Sequence, residues 1–521
     1  MSSATSRMAP VCVGLYLLMS VVVFFAIMHR THGHFVYTLD DPYIHLALAD
    51  QISHGHYGIN AGEFSSPSSS AIWPLLLIPF ASKSWHVFLP LVWNLLFGTL
   101  GAWLIGTMMD RWPSRNPGSN NDRWQQVITA GLLIMVANLV GLTFVGMEHV
   151  LQVLLAISCA FAIIEALRGR PIPAWCLAAA VIGPMVRYES LAITVGIVIL
   201  LIGLEQRKTA IAILVLAIVP LIGFGFFLHS HGLPMLPTSV LVKGGASDPH
   251  VSRVVTFIRI FKVAVSQAIM ASERWPMVIL LAVFFCLAWK EADRVRRYSF
   301  FGVAAVVGLQ LLIGRFGWFH RYEIYALAFA AMVFMHVVAE RPRFMYGYFV
   351  MGLLFLGGLS ITATLSSGRA AAEIYGQQYQ MHRFIHDFYR GTFAVNDIGL
   401  VSYLKPDDEV VVDLWGLASP EAARQTIKDA PWLREIAQRH GVSLAMIYPE
   451  WYKSLPQEWT PLGKLCLPGN PVAVDKGCVV FYSTTAAAQL EIWNSLQRFA
   501  PTVPPGDKFV FFSRGNGYES P

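Results

Sequence analysis

The stretch YTLDDPYIHLALADQISHGHYGINAGEFSSPSSSAIWP, residues 37–74, comes directly after an apolar run, residues 9–28, that is long enough to cross a bilayer. It is polar, rich in His and Ser, and carries two adjacent carboxylates, Asp40 and Asp41. Its simplest reading is a helix start, with Asp41 as N-cap, Pro42 at the first helical position and Ile44, Leu46, Leu48 and Ile52 as a mainly apolar stripe. That predicts a helix over 42–53 lying along the membrane surface, and it employs only one aspartate. A second carboxylate beside the first raises the cost of ionising both, an arrangement suited to a general base or a cation site.

Working outward, the whole chain has the composition of a membrane protein. Its 521 residues are 55% hydrophobic and only 13% charged, with a mean hydropathy of +0.53, too little polar surface to cover a soluble core of that size. The formal charge of +6 does not point to nucleic acid, because the basic residues fall in short clusters between apolar runs. After the first run comes MHRTHGHF rather than a small-x-small cleavage site, so residues 9–28 read as an anchor with the N-terminus cytoplasmic.

Ten further spans are expected near 86–109, 125–145, 150–167, 174–187, 189–204, 209–228, 275–290, 298–313, 323–338 and 347–364, about eleven crossings in all. Residues 71–81, with Pro74 and Pro79, are too short to cross and read as a second surface helix. The inferred inner loops hold Arg111, Arg168, Arg207, Lys290, Arg294, Arg296, Arg297 and Arg341, as the positive-inside rule requires. An odd number of spans puts residues 365–521 on the same outer side as Asp40 and Asp41.

That tail alternates β-rich runs such as EVVVDLWG and GCVVFYS with helical ones such as PWLREIAQRHG, and predicts a small α/β domain. The expected division is therefore 1–364 for the membrane part and 365–521 for the outer domain. Cys466 and Cys478 lie in the tail, where an oxidising compartment favours a disulfide, while Cys12, Cys159, Cys176 and Cys286 lie in spans as small apolar residues. The tail has no Asn-x-Ser/Thr acceptor, which favours a bacterial envelope over a secretory lumen.

Further ionisable residues fall on the outer side: Glu148, Arg187, Glu189, Lys243, Arg315, His320, Arg321 and Glu323. Singly, each reads as a snorkelling side chain or half of an interhelical ion pair; together on one side, they suggest a substrate site.

The order DDPYI, GHYGINAGE, SSPSSSAIWP, GME, VRYE and PTSVLVK resembles the GT-C superfamily of polyprenyl-phosphate-sugar-dependent glycosyltransferases, above all the bacterial branch with the mycobacterial terminal arabinofuranosyltransferases. The resemblance covers roughly residues 10–330, and AVNDIGLVSYL with VVDLWGLASP in the tail is similar to a segment that follows the membrane part in such proteins. Tyr188 stands where Pro is usual and His149 where Thr is common, which leaves the sugar and acceptor open.

The resemblance implies a GT-C-like polytopic α-helical membrane protein with two juxtamembrane helices in its first outer loop and a periplasmic α/β domain. It implies inverting transfer of a sugar from a polyprenyl-phosphate carrier to an envelope glycan or lipid at the outer face of a bacterial inner membrane. Asp40 or Asp41 would be the base, and Glu148, Arg187, Glu189, Lys243, His320 and Arg321 would bind sugar or phosphate. A divalent cation (Mg, Mn or Ca) on Asp40 and Asp41 stays open, since relatives differ in needing one. Zinc is disfavoured: of the loop's histidines only His45, four residues after Asp41, shares a helix face with the acids. Two other functions compete, a transporter or lipid flippase lined by the outer charges, and a non-enzymatic scaffold whose tail binds glycan.

Overall fold

The computed structural model describes residues 7–111, 120–244, 266, 270–339, 346–406 and 409–512. Among them, eight helices are long and apolar enough to span: Met8–Arg30, His86–Met109, Arg123–Val145, His149–Leu167, Arg207–Ser230, Ser272–Lys290, Arg294–Ile313 and Tyr346–Phe388. Three shorter apolar helices, Ala174–Val186, Leu191–Gly203 and Ile324–Ala339, stand at the other expected crossings. The chain is a polytopic helical membrane protein with a small C-terminal sheet domain.

The short helices matter for the site. Thirteen residues over Ala174–Val186 rise about 20 Å, short of a hydrocarbon core of about 30 Å, and the Arg187 turn follows directly. Another interruption falls at Asn138, whose φ of 50° breaks the third span. Its side chain donates to the Phe319 carbonyl at 3.2 Å and accepts from the Thr364 hydroxyl at 3.2 Å, so the broken segment keeps polar partners inside protein. The helices Leu191–Gly203 and Arg294–Ile313 cross at Gly196 and Gly302. A Cβ at Gly302 would lie 2.6 Å from the Gly196 carbonyl oxygen, so only glycine allows that approach.

The last long helix, Tyr346–Gly376, runs for 31 residues, about 46 Å, and therefore projects beyond the membrane. The boundary expected at 364/365 falls inside it, which makes the helix a strut into the sheet domain. There, β1 (Phe393–Val395), β2 (Val411–Asp413), β3 (Leu444–Ile447), β4 (Thr460–Cys466), β5 (Cys478–Ser483) and β6 (Lys508–Phe511) form one sheet in the order β2-β1-β3-β5-β4-β6. The β1 strand is parallel to β2 and β3, and the remaining pairs are antiparallel. Cys466 and Cys478 face each other across β4 and β5 and are disulfide-bonded.

Strand alternation sorts the two faces of the sheet. Ala394, Val412 and Ile447 pack under the amphipathic helix Ala430–Arg439 through Leu433 and Ile436. Phe393, Val395 and Phe481 pack with Leu496 and Phe499 in a core continuous with the membrane helices. The sheet domain is thus seated on the bundle rather than tethered to it.

Two expectations for the first loop are corrected. Residues 71–81 hold only one helical turn, Trp73–Leu76, because Pro74 can start a helix but Pro79 cannot continue one. The helix Asp41–Ser53 forms, yet Pro42 to Ala49 are all buried. It is enclosed between bundle and sheet domain, where an apolar surface stripe would have left one face exposed.

Candidate functional site

Asp40 and Asp41 face opposite ways. Asp41 is the first residue of its helix, and the cap position, Asp40, makes no side-chain capping bond. Asp40 instead accepts backbone N–H groups from Gly399 at 2.7 Å and Leu400 at 2.8 Å, one on each oxygen, and so ties the loop to the sheet domain. Gly399 is required there, since a Cβ would lie 2.0 Å from the Asp40 carbonyl oxygen.

Asp41 turns toward the bundle and meets the buried Arg321, Nη1 to Oδ2 at 3.1 Å. Arg321 also donates from Nη2 to the Tyr322 hydroxyl at 2.9 Å. It stands at the end of an unusual turn, Gly317 to His320, in which four successive residues have positive φ. Three of these are not glycine, a strain that persists only where the surroundings enforce it. The Asn138 bond to the Phe319 carbonyl and the His320 bond to Glu323 at 2.7 Å hold the turn.

Tyr322 connects Arg321 to a second cluster, because the Arg187 guanidinium lies 5.5 Å from the centre of its ring. Arg187, only 3% exposed, donates from Nη1 to Glu148 at 2.7 Å and from Nη2 and Nε to Glu189 at 2.8 and 3.3 Å. Glu148 is fully buried, with its other oxygen 3.6 Å from His45 Nε2. Residues from four separate regions of the sequence thus form one charged seam across the helix ends nearest the sheet domain.

The seam borders a cavity of about 490 Å³. Arg187, Glu189 and Tyr322 line its polar end, Leu191, Val195 and Ile313 its apolar wall, and Ser69 and Ser239 meet at 3.3 Å on another side. Arg315 also lines it, is exposed, and has no carboxylate partner among the described residues. An anion entering the cavity would therefore find Arg315 available and Arg187 already held by two carboxylates. His320 is committed to Glu323. Lys243 lies on the helix Thr238–Gly244, but its side chain is outside the described residues.

A third carboxylate approaches from the sheet domain. Asp397 follows β1 at the carboxyl end of the parallel strands, where ligands of α/β sheets are usually met. It accepts from Gln378 Nε2 at 3.3 Å. Burial, chiefly, and then the Asp397 charge push Asp40 above the carboxylate range against its two N–H bonds, and burial, with the Asp41 charge, raises Asp397. The sequence does signal this residue: Asn-Asp-x-Gly after a short apolar run marks a strand end turning into a loop. Tyr322 carried no such signal.

A divalent ion on Asp40 and Asp41, left open by the sequence, would have to displace the partners they already have. Asp40 uses both oxygens on N–H donors and Asp41 faces a guanidinium; among the described residues no three or more His, Cys, Asp or Glu converge as a metal site.

Comparison with known proteins gives a partial setting. The model of a family described as Domain of unknown function (DUF8728) matches residues 372–483, from the end of the long strut through β5. No curated protein matches the chain by sequence. Among solved structures, the chain is similar to ArnT from Cupriavidus metallidurans bound to undecaprenyl phosphate. The identity is 13% and the TM-score 0.41, over 91% of this chain and 98% of that one. It is also similar to the apo oligosaccharyltransferase of Archaeoglobus fulgidus, with 11% identity and a TM-score of 0.38, over 91% of this chain and 75% of that one. Likenesses at this level leave the site to be argued from the chain's own residues.

Proposed function

We propose that the protein is an inverting glycosyltransferase that moves a sugar from a polyprenyl-phosphate carrier to an envelope glycan or lipid. On this reading it sits in a bacterial inner membrane with its N-terminus inside and its sheet domain in the periplasm. The observation that carries the proposal is a carboxylate, Asp41, joined through Arg321 and Tyr322 to a cavity with a charged end and an apolar wall. A lipid-linked sugar phosphate has the same polarity: an apolar chain, an anion and a polyol.

Asp41 takes the proton of the acceptor hydroxyl while its oxygen attacks the anomeric carbon from the face opposite the phosphate. The bond from that carbon to the phosphate oxygen breaks, and the electron pair leaves with the lipid phosphate. A phosphate monoester has its second pKa near 6, at about the value where no acid catalyst is needed. Arg315 receives the charge that gathers on it, as a guanidinium can clamp two oxygens. Arg321 keeps Asp41 in position, and Glu189 and the Ser69–Ser239 pair contact the sugar hydroxyls.

The test uses the full chain in nanodiscs with a panel of polyprenyl-phosphate pentoses and hexoses, reading released polyprenyl phosphate by mass spectrometry. Wild type should turn over at least one donor. Asp41→Asn should lose about 10²- to 10⁴-fold, the usual worth of a general base, when assayed below an unfolding temperature that falls because Arg321 loses its carboxylate partner. Full turnover by a folded Asp41→Asn would remove Asp41 from the chemistry.

A further inference from the structure

At the end of the bundle away from Asp41, the helices Leu191–Gly203, Trp275–Lys290 and Arg294–Ile313 enclose a lateral groove of about 810 Å³. Its walls are Leu281, Phe285, Phe301 and Ala305; nearer the helix ends stand Trp289 and Arg297. From Arg297 to Ala305 the helix rises about 12 Å, so the groove reaches well into one leaflet.

The charges beside it are unevenly paired. Arg294 bonds Glu205 and Arg296 lies 3.3 Å from Glu291. Arg297 lies between helix and groove, half-buried, and has no carboxylate partner among the described residues. A cation held against an apolar surface without a counter-charge is costly, and the cost is relieved by an anion supplied from outside the chain. Trp289, 76% exposed, and Phe285, half-exposed, present aromatic faces at the same place, as side chains do at the junction of acyl chains and headgroups.

We infer that this groove binds an anionic phospholipid, with the phosphate on Arg297 and an acyl chain along Leu281, Phe285 and Phe301. The site lies at the opposite end of the bundle from the proposed transfer chemistry and does not depend on it. A neutral lipid would fill the same apolar space without meeting the unpaired charge, and a second copy of the chain would have to bring a carboxylate to Arg297.

Native mass spectrometry of the full-length protein with equal phosphatidylglycerol and phosphatidylcholine tests this by binding alone. Wild type should retain the anionic lipid in preference by roughly fivefold, the factor one basic side chain contributes beside anionic lipid. Arg297→Gln should fall to parity and Arg297→Lys should keep the preference, which separates charge from misfolding. The inference is overturned by no preference in wild type, by full preference in Arg297→Gln, by displacement of phosphatidylglycerol by one equivalent of polyprenyl phosphate, or by a lipid-free dimer.

Discussion

The two ends of the helix bundle use charge differently. At the end away from the sheet domain, the Arg294–Glu205 pair is open to solvent, 42% and 72% exposed, although Arg111–Glu165 at the same end is partly buried. At the end beneath the sheet domain, Glu148, Arg187 and Arg321 are 0%, 3% and 2% exposed. Exposed pairs contribute about 0–1 kcal/mol and need no special explanation. Buried pairs usually fail to repay their desolvation, so folding alone would favour apolar side chains in their place. The buried seam is therefore best explained by what it does for a ligand, and the exposed pairs by topology and solubility.

The strongest way to break this contrast is to remove Arg187. Arg187→Gln leaves Glu148 fully buried and Glu189 beside it without a cation, and breaking such a pair costs about 3–5 kcal/mol. Thermal unfolding in nanodiscs should show a large fall. A second change, Glu148→Gln in the same chain, should recover part of it, because the stranded charge is gone. A fall no larger than that of an exposed pair would show that water reaches the seam.

A second test concerns how the sheet domain is held over the seam. Gly399→Ala places a Cβ against the Asp40 backbone and forces the two N–H bonds apart. Overpacking of this kind costs about 1–3 kcal/mol, and limited proteolysis should release the sheet domain faster. Asp40→Asn, which can accept on one side only, should produce a smaller change of the same kind. Unchanged proteolysis in both variants would mean that the shared apolar core around Phe393 and Phe481 holds the domain unaided.

These two tests also show what the sequence could convey. The spans were legible because apolar runs and basic loops each report one local fact, and all eleven expected crossings have a helix at the expected place. The seam was partly legible, since Glu148, Arg187, Glu189 and Arg321 are conspicuous in apolar surroundings. Their pairing was not, nor was the division of labour between the aspartates. Asp40 finds its partner 359 residues away, and no local pattern encodes which neighbour turns to the sheet and which to Arg321. Helix 71–81 failed for a local reason, two prolines in a short apolar run. Lys243 and Arg187 attracted notice as cations, whereas Arg315, unpaired at the cavity, stands out only once the carboxylates around Arg187 are seen.

A third, smaller effect follows from the carboxylates between loop and sheet domain. Asp40 and Asp397 are raised in the folded protein, mainly by burial. The folded state then binds more protons than the unfolded chain, so the stability contribution is full below the ordinary carboxylate value and is lost as pH rises. Unfolding midpoints should decline between about pH 4 and about pH 8. Asp397→Asn removes one titrating group and lessens the repulsion on Asp40, so its decline should be shallower. A steeper or unaltered slope would place these carboxylates in freer contact with water.

The smallest effect is expected at the open end. Arg294→Gln, Glu205→Gln and the double variant form a cycle in which the coupling should be below about 1 kcal/mol and should shrink further with salt. A negligible coupling here beside a large one for Arg187 and Glu148 would set the two ends apart by energy as well as by burial. A coupling of several kcal/mol would mean that the membrane surface shields Arg294 and Glu205 from water. The contrast would then rest on ligand geometry alone, with the cavity beside Arg187 as the feature that the open pair lacks.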